Sequence, residues 1–282
     1  MKPIAQPYRS FQFGSGVKIH YEVQGRGSRP AVLLHGFGAS LEMWRDIQPY
    51  LEPRLVMHLV DLKGFGLSSK PDDRRYTIED QAAIMASFIE QLDLKGLCLI
   101  GHSYGGAVAL ATYLRLADKR LAGRIQAMVL IASPAAVQAL PFFIWSLRTP
   151  GLNLLARLAP SRARARFVLT HICYDPAMAT KERIERYARF HDLPGSHHAL
   201  IAAAEQIIPE HPNAAVSRLG GVRAPTLIVW GDHDQIVYRW QADLLKEHIA
   251  NSKLVIIPRC GHIPQEEHPE QTARAILDFL AA

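Results

Sequence analysis

The chain has little of what would set it apart from ordinary globular proteins. It contains only three cysteines in 282 residues, Cys98, Cys173 and Cys260, odd in number and not at metal-ligand spacing. Neither a disulfide framework nor a bound metal is expected. No apolar run approaches the ~18 residues that cross a bilayer, and Met1–Pro7 lacks the apolar core of a signal peptide. These absences point to a cytoplasmic protein. Internal repeats and low-complexity tracts are missing. So are the Gly-x-Gly-x-x-Gly pattern and the phosphate-binding loop, so no nucleotide cofactor is implied.

One absence is local. From Lys119 to Tyr174 there is no Asp or Glu, against eight basic residues: Lys119, Arg120, Arg124, Arg148, Arg157, Arg162, Arg164 and Arg166. This stretch alone makes the chain basic at a net charge of +6. No nucleic-acid reader motif accompanies the charge, so nucleic acid is not an expected partner. Three readings fit the arginines: a solvated basic face, a weak peripheral contact with an anionic membrane, and a site for an acidic substrate.

What is present is a regular alternation. Val17–Val23 alternates apolar and polar like a half-buried strand in a pair, whereas Ala31–Leu34, Leu55–Val60 and Leu97–Ile100 are continuously apolar. Continuous apolar runs belong to strands covered on both faces. Helical patterns fall at about 41–51 and 78–92, the latter opened by Thr77 with Asp80 three residues on. After the strand Ile125–Ala132 the alternation stops. Helix-like pieces broken by Pro141, Pro150-Gly151, Pro160 and Pro194-Gly195 follow, until the strand pattern resumes at Ala224–Trp230. The last elements are a helix near 238–250, a strand at 253–257 and a helix near 269–280. The expected architecture is an α/β core (1–133 and 213–282) with a mostly parallel sheet flanked by helices. A helical cap (134–212) is inserted after the sixth strand.

The chemical centre of the sequence is Gly101-His102-Ser103-Tyr104-Gly105-Gly106, entered from an apolar strand and left into Ala107–Ala111. A serine on a sharp strand-to-helix turn crowds its neighbours, hence glycine at minus two and plus two. Its hydroxyl stands above the sheet while the new helix turns its N-terminus toward any negative charge formed there. Acyl transfer by serine also needs a base and a carboxylate to orient it. Loops after later strands carry both, in Gly231-Asp232-His233-Asp234 and Gly261-His262.

Taken in order with His35-Gly36-Phe37-Gly38 and Asp61–Ser68, these motifs resemble the α/β-hydrolase fold superfamily, serine esterase-like members with a cap, over nearly the whole chain. The resemblance implies Ser103 as nucleophile, His262 as general acid and base, and Asp234 as the orienting carboxylate, with Asp232 holding the turn. It implies an oxyanion hole from the backbone N–H groups of Phe37 and Tyr104, their side chains free to shape the pocket. His35 would pack beneath that loop, His102 and His233 would face elsewhere, and Asp61 would be structural. His191, His197 and His198 would lie on a solvated surface, and Cys260 would be a small buried hydrophobe. Phe142, Phe143 and Trp145 from the cap, with Ile263, are expected to line an apolar pocket.

The implied activity is hydrolysis of a small apolar carboxylic ester through an acyl-enzyme, without metal or cofactor. Haloalkane dehalogenases and epoxide hydrolases use an aspartate nucleophile and are disfavoured by Ser103. Carbon–carbon hydrolases of ring-cleavage products usually carry a proline in the glycine-rich loop and a tryptophan after the histidine. Here Gly36-Phe37-Gly38-Ala39 and Ile263 stand there, so that activity is an alternative, beside perhydrolase activity and a ligand receptor on the same scaffold.

Overall fold

The computed structural model describes residues 9–14, 16–211 and 216–282, with the side chains of 155–157 outside the description. One sheet contains β1 (Arg9–Phe13), β2 (Val17–Gln24), β3 (Arg29–Leu34), β4 (Leu55–Val60), β5 (Leu97–His102), β6 (Ile125–Ile131), β7 (Thr226–Gly231) and β8 (Ser252–Ile257). The helices among the first strands are α1 (Gln48–Leu51), α2 (Ile78–Gln91) and α3 (Tyr104–Asp118). Between β6 and β7 come α4 (Phe142–Arg148), α5 (Leu152–Leu158), α6 (Ser161–Ile172), α7 (Lys181–Ala188) and α8 (Ser196–Glu205). The chain closes with α9 (Trp240–His248), α10 (Pro264–Glu267) and α11 (Pro269–Ala281). Among the described residues no helix is long and apolar enough to cross a membrane.

Strand order is β1-β2-β4-β3-β5-β6-β7-β8. The β1–β2 and β2–β4 pairs are antiparallel and every other pair is parallel. The apolar strands sit centrally because they have a partner on each face. In β3, Val32 and Leu34 join the cluster that holds α2, α3 and α9, while Ala31 and Leu33 face Trp44, Leu51 and α11. The chain leaves β3 to one side for β4 and returns on the other for β5. That reversal opens a crevice beyond the carboxyl ends of β3 and β5, the usual place for a ligand in such sheets.

Three local findings refine the sequence reading. The N-terminal strand Val17–Gln24 has two partners, β1 and β4. The helix expected over 41–51 is a 3₁₀ turn at Leu41–Trp44 followed by the single turn α1. Pro49 lacks the N–H that a continuous helix would bond to Arg45, so the helix restarts there. Breakers also frame the inserted helices: α4 and α6 follow Pro141 and Pro160, and α5 and α8 follow Gly151 and Gly195. The expected far boundary of the insertion, at 212–213, lies outside the described residues. The Thr77–Asp80 capping box forms as expected, Thr77 Oγ1 accepting from Asp80 N at 3.0 Å and Asp80 Oδ2 from Thr77 N at 3.2 Å.

Candidate active site

The β5–α3 junction places Ser103 at φ +50° and ψ −121°, a left-handed backbone that non-glycine residues avoid. Strain of this kind costs of order 1–3 kcal/mol and persists only where the surroundings over-determine it. They do so here. Ser103 N donates to Ile131 O at 2.9 Å, and its carbonyl accepts from Gly106 N and Ala107 N. A Cβ on Gly101 would lie 2.4 Å from Gly105 O, and one on Gly105 would lie 2.3 Å from Leu34 O. Only glycine lets the turn close.

Asp234 follows β7 and His262 follows β8, and the fold brings both to Ser103. Ser103 Oγ is 2.9 Å from His262 Nε2, and His262 Nδ1 is 2.9 Å from Asp234 Oδ2. An ionised carboxylate can only accept, so Nδ1 carries the proton and Nε2 is left to accept from the serine hydroxyl. The other carboxylate oxygen, Oδ1, accepts from Ile236 N at 2.8 Å and Val237 N at 3.0 Å. Those bonds fix the aspartate before the histidine reaches it. Asp232 does something else: it pairs with His233 Nδ1 and accepts from Cys260 N at 3.1 Å, which ties the two loops together. The loops also touch through their glycines, since a Cβ on Gly231 would lie 2.0 Å from Gly261 O.

His262 is held from three directions. Its backbone N–H donates to Ile172 O of α6 at 2.7 Å. Its carbonyl accepts from His102 Nε2 at 2.8 Å. The flanking amides of Gly261 (3.0 Å) and Ile263 (3.3 Å) donate to the Glu267 carboxylate, which also takes Tyr174 N at 2.7 Å. The sequence reading missed Glu267; nothing local in Glu266-Glu267 signals a bond to a histidine loop. His102 departs from expectation as well. Its ring lies 4.9 Å from that of His262 and lines the cavity. Burial holds it well below the ordinary imidazole pKa, so it stays a neutral Nε2–H donor.

Tyr104 begins α3, and the Phe37 loop passes close by: a Cβ on Gly36 would lie 3.5 Å from Ser103 Cβ. Beneath that loop His35 accepts from Leu62 N at 3.0 Å and donates to Gly36 O at 2.8 Å. Asp61 is fully buried and accepts from Leu41 N, Leu67 N and His20 Nδ1, all within 2.9 Å. The two side chains diverge. Phe37 lines the cavity, whereas the Tyr104 phenol turns into the core toward Tyr76 O at 3.3 Å.

Above Ser103 lies a cavity of about 360 Å³ between the strand-end loops and the inserted helices. Phe142, Phe143 and Ile263 line it, and Leu147, Phe167 and Ile236 add apolar wall. Trp145 does not. It lies one turn beyond Phe142 on the outward face of α4, opposite the buried Ile144 and Leu147, and is half-exposed. His191 reverses its expectation too: it lines the cavity and donates to Gly38 O at 2.8 Å, and burial lowers its pKa. Cys260 is buried. Among the described residues no cluster of His, Cys, Asp and Glu side chains could hold a metal ion.

A serine on a strained strand-to-helix turn, bonded through a histidine to a buried aspartate at the switch point of a parallel sheet, defines a class of protein. The chain belongs to the α/β-hydrolase fold family, whose model matches residues 30–269. It is 28% identical to the 2-hydroxy-6-oxo-2,4-heptadienoate hydrolase of Pseudomonas putida over 95% of this chain and 94% of the relative. Among solved structures, Cfl2 of Burkholderia cenocepacia superposes at a TM-score of 0.84 with 22% identity, covering 96% of this chain and 95% of that one. A thermophilic esterase of Thermogutta terrifontis, solved with malate bound, superposes at 0.77 with 25% identity, covering 97% of each chain.

Proposed function

We propose that this hydrolase cleaves carboxylic esters with an apolar acyl or alcohol portion, through an acyl-enzyme on Ser103. The observation that carries the reading is the Ser103–His262–Asp234 chain of 2.9 Å bonds opening into an apolar cavity of about 360 Å³. His262 Nε2 takes the hydroxyl proton as Ser103 Oγ attacks the ester carbonyl, and Asp234 stabilises the imidazolium. The oxyanion is held by the Phe37 and Tyr104 amides, the latter at the positive end of α3. As the intermediate collapses, the alkoxide takes the proton from His262 and leaves. Water then attacks the acyl-enzyme, giving its proton to the same nitrogen, and the acid departs with Ser103 restored. The inserted helices act as a cap that fits the apolar portion and keeps bulk water out. A cytoplasmic setting suits the three buried free thiols.

The name of the Pseudomonas putida relative favours a second reading, hydrolysis of a carbon–carbon bond in a ring-cleavage product. One experiment separates the two. Wild type at catalytic dilution is given p-nitrophenyl esters of rising acyl length and, in parallel, 2-hydroxy-6-oxo-2,4-heptadienoate. We expect multiple turnovers on the esters with an optimum at intermediate length. Turnover of the dienoate alone would replace the ester reading. Labelling of Ser103 by a fluorophosphonate with no turnover of either would mean a competent nucleophile awaiting another substrate and would bring the receptor reading forward.

A further inference from the structure

The cavity reaches the surface at an apolar face that the fold leaves uncovered. Phe142 and Phe167 line the cavity and are still 63% and 42% exposed, so they form its mouth. Trp145 packs with its ring 6.0 Å from that of Phe142 and is 48% exposed, and Leu154 and Leu158 on the adjoining α5 are 58% and 74% exposed. Each of α4, α5 and α6 turns such residues outward: Phe142 and Trp145, Leu154 and Leu158, and Phe167. A cluster of exposed large apolar side chains around a pocket mouth is not an ordinary soluble surface.

The charge carried on these three helices has one sign. No acidic residue occurs from Lys119 to Tyr174, and α4 to α6 lie inside that stretch. Arg162 pairs with Glu185 of α7, and Arg164 with Asp192. Arg148 and Arg166 are exposed and have no ion-pair partner among the described residues. Two free cations beside exposed aromatic and leucine side chains match the make-up of a membrane-surface element. The apolar groups enter the headgroup boundary and the arginines meet lipid phosphates. A second copy of the chain suits this face less well, since a two-fold contact would bring Arg148 and Arg166 of both copies into one interface with no acidic residue on α4 to α6 to meet them.

We propose that this face docks on an anionic lipid surface, so that the mouth opens onto the bilayer and receives an apolar ester dissolved in it. The substrate half of this proposal rests on the ester-hydrolysis reading; the docking half does not. The cap residues that meet lipid are then distinct from those that meet the acyl chain: Trp145, Leu154, Leu158, Arg148 and Arg166 do not line the cavity.

The test is vesicle co-sedimentation of the full chain, with phosphatidylglycerol-rich and pure phosphatidylcholine vesicles, alongside turnover of soluble p-nitrophenyl acetate. We expect partition onto the anionic vesicles only, weakening as salt rises. Each arginine near such a surface contributes about 1 kcal/mol. The Arg148→Glu/Arg166→Glu variant should therefore bind at least tenfold more weakly, as should Trp145→Ser/Leu154→Ser/Leu158→Ser. Both should keep wild-type turnover of p-nitrophenyl acetate, which also reports that they fold. In a Trp240→Phe background, Trp145 is the one half-exposed indole, Trp44 and Trp230 being buried. Its emission should shift to the blue on anionic vesicles. Equal binding to both vesicle types, or equal binding by wild type and variants, would overturn the proposal. So would a concentration-dependent dimer lost in the serine variant, with no vesicle binding, which would assign the face to a second copy. Vesicle binding without turnover of any ester would leave docking standing and remove the ester reading.

Discussion

The strand-end loops and the inserted helices meet at one cavity but are held in place by different forces. On the sheet side, Ser103, Asp234 and His262 are fixed by backbone hydrogen bonds and by glycine contacts that no other residue would fit. On the other side, α7 is tied to the core by charges. Arg183 meets Asp46 at 2.7 Å and Glu266 at 3.0 Å, Arg186 meets Asp46 at 2.8 Å, and the Tyr187 hydroxyl meets Glu266. The first kind of anchoring holds reacting atoms to fractions of an ångström. The second leaves a shell whose outer side chains can vary with the substrate. Changes on the sheet side should therefore alter rate by orders of magnitude, and changes in the insertion should alter selectivity and attachment.

The largest expected effects fall on the serine–histidine–aspartate line. Ser103→Ala should lower kcat for p-nitrophenyl esters by about 10⁴-fold or more, with the thermal midpoint close to wild type. Asp234→Asn should cost a similar factor, by analogy with other triads (~10⁴), because the amide misdirects the histidine tautomer. Asp232→Asn loosens a turn and should cost far less. If kinetics ranked the two aspartates the other way, the chemical role of Asp234 would have to be given up.

The charged tether of the insertion predicts the next effect, on stability. Burial pushes the Glu266 carboxyl up to about 7 from an ordinary 4.5, against the pull of Arg183 and the Tyr187 hydroxyl. Between those values the folded state keeps a proton that the unfolded chain has lost. Stability should thus fall as pH rises from about 4.5 to 7 and be flat above, with up to about 3 kcal/mol at stake. In Glu266→Gln this slope should disappear from denaturant midpoints measured across the window. A slope of the same size in the variant would assign it to other groups.

Glu267 sharpens the comparison because it joins the two regions, taking Gly261 N and Ile263 N from the histidine loop and Tyr174 N from the insertion. It is a positioning residue, acting only through the backbone around His262. Glu267→Ala should lower kcat by 10- to 100-fold with KM nearly unchanged, on the scale of losing the worth of one charge-assisted bond (about 1.5–3 kcal/mol). A rise in KM with kcat preserved would make it a substrate contact instead.

How much of this was legible in the chain follows the same division. The continuous apolar runs of β3 to β7, the glycines flanking Ser103 and the Asp234 and His262 loops are local patterns, each stating its own geometry. The chain order of the loops then places them at one sheet edge. Contacts between distant segments left no local trace. The pairing of β2 with β4, the bond from His191 to the Gly38 carbonyl and the Glu267 anchor all join stretches whose partners the sequence does not name. Trp145 illustrates a third case. An aromatic-rich helix reads as pocket lining, but α4 has two faces, and only packing decides that Ile144 and Leu147 turn inward while Trp145 turns out.

That last distinction yields the smallest expected effect. Phe143 and Trp145 are neighbours on α4, yet the first lines the cavity and the second does not. Phe143→Ala enlarges the space over Ser103 by most of a phenyl ring. A hydrophobic pocket discriminates by about 10- to 200-fold per methylene when well fitted, and less where the wall can adjust. The ratio of kcat/KM for long over short p-nitrophenyl esters should thus shift about tenfold toward the longer chains. Trp145→Ala removes a larger side chain from the same helix and should leave that ratio within about twofold, because its atoms never reach the acyl group. A Trp145→Ala shift as large as that of Phe143→Ala would mean that bound acyl chains leave the cavity through its mouth and lie along the outer face of α4. The division between the surface that selects and the surface that docks would then collapse into one.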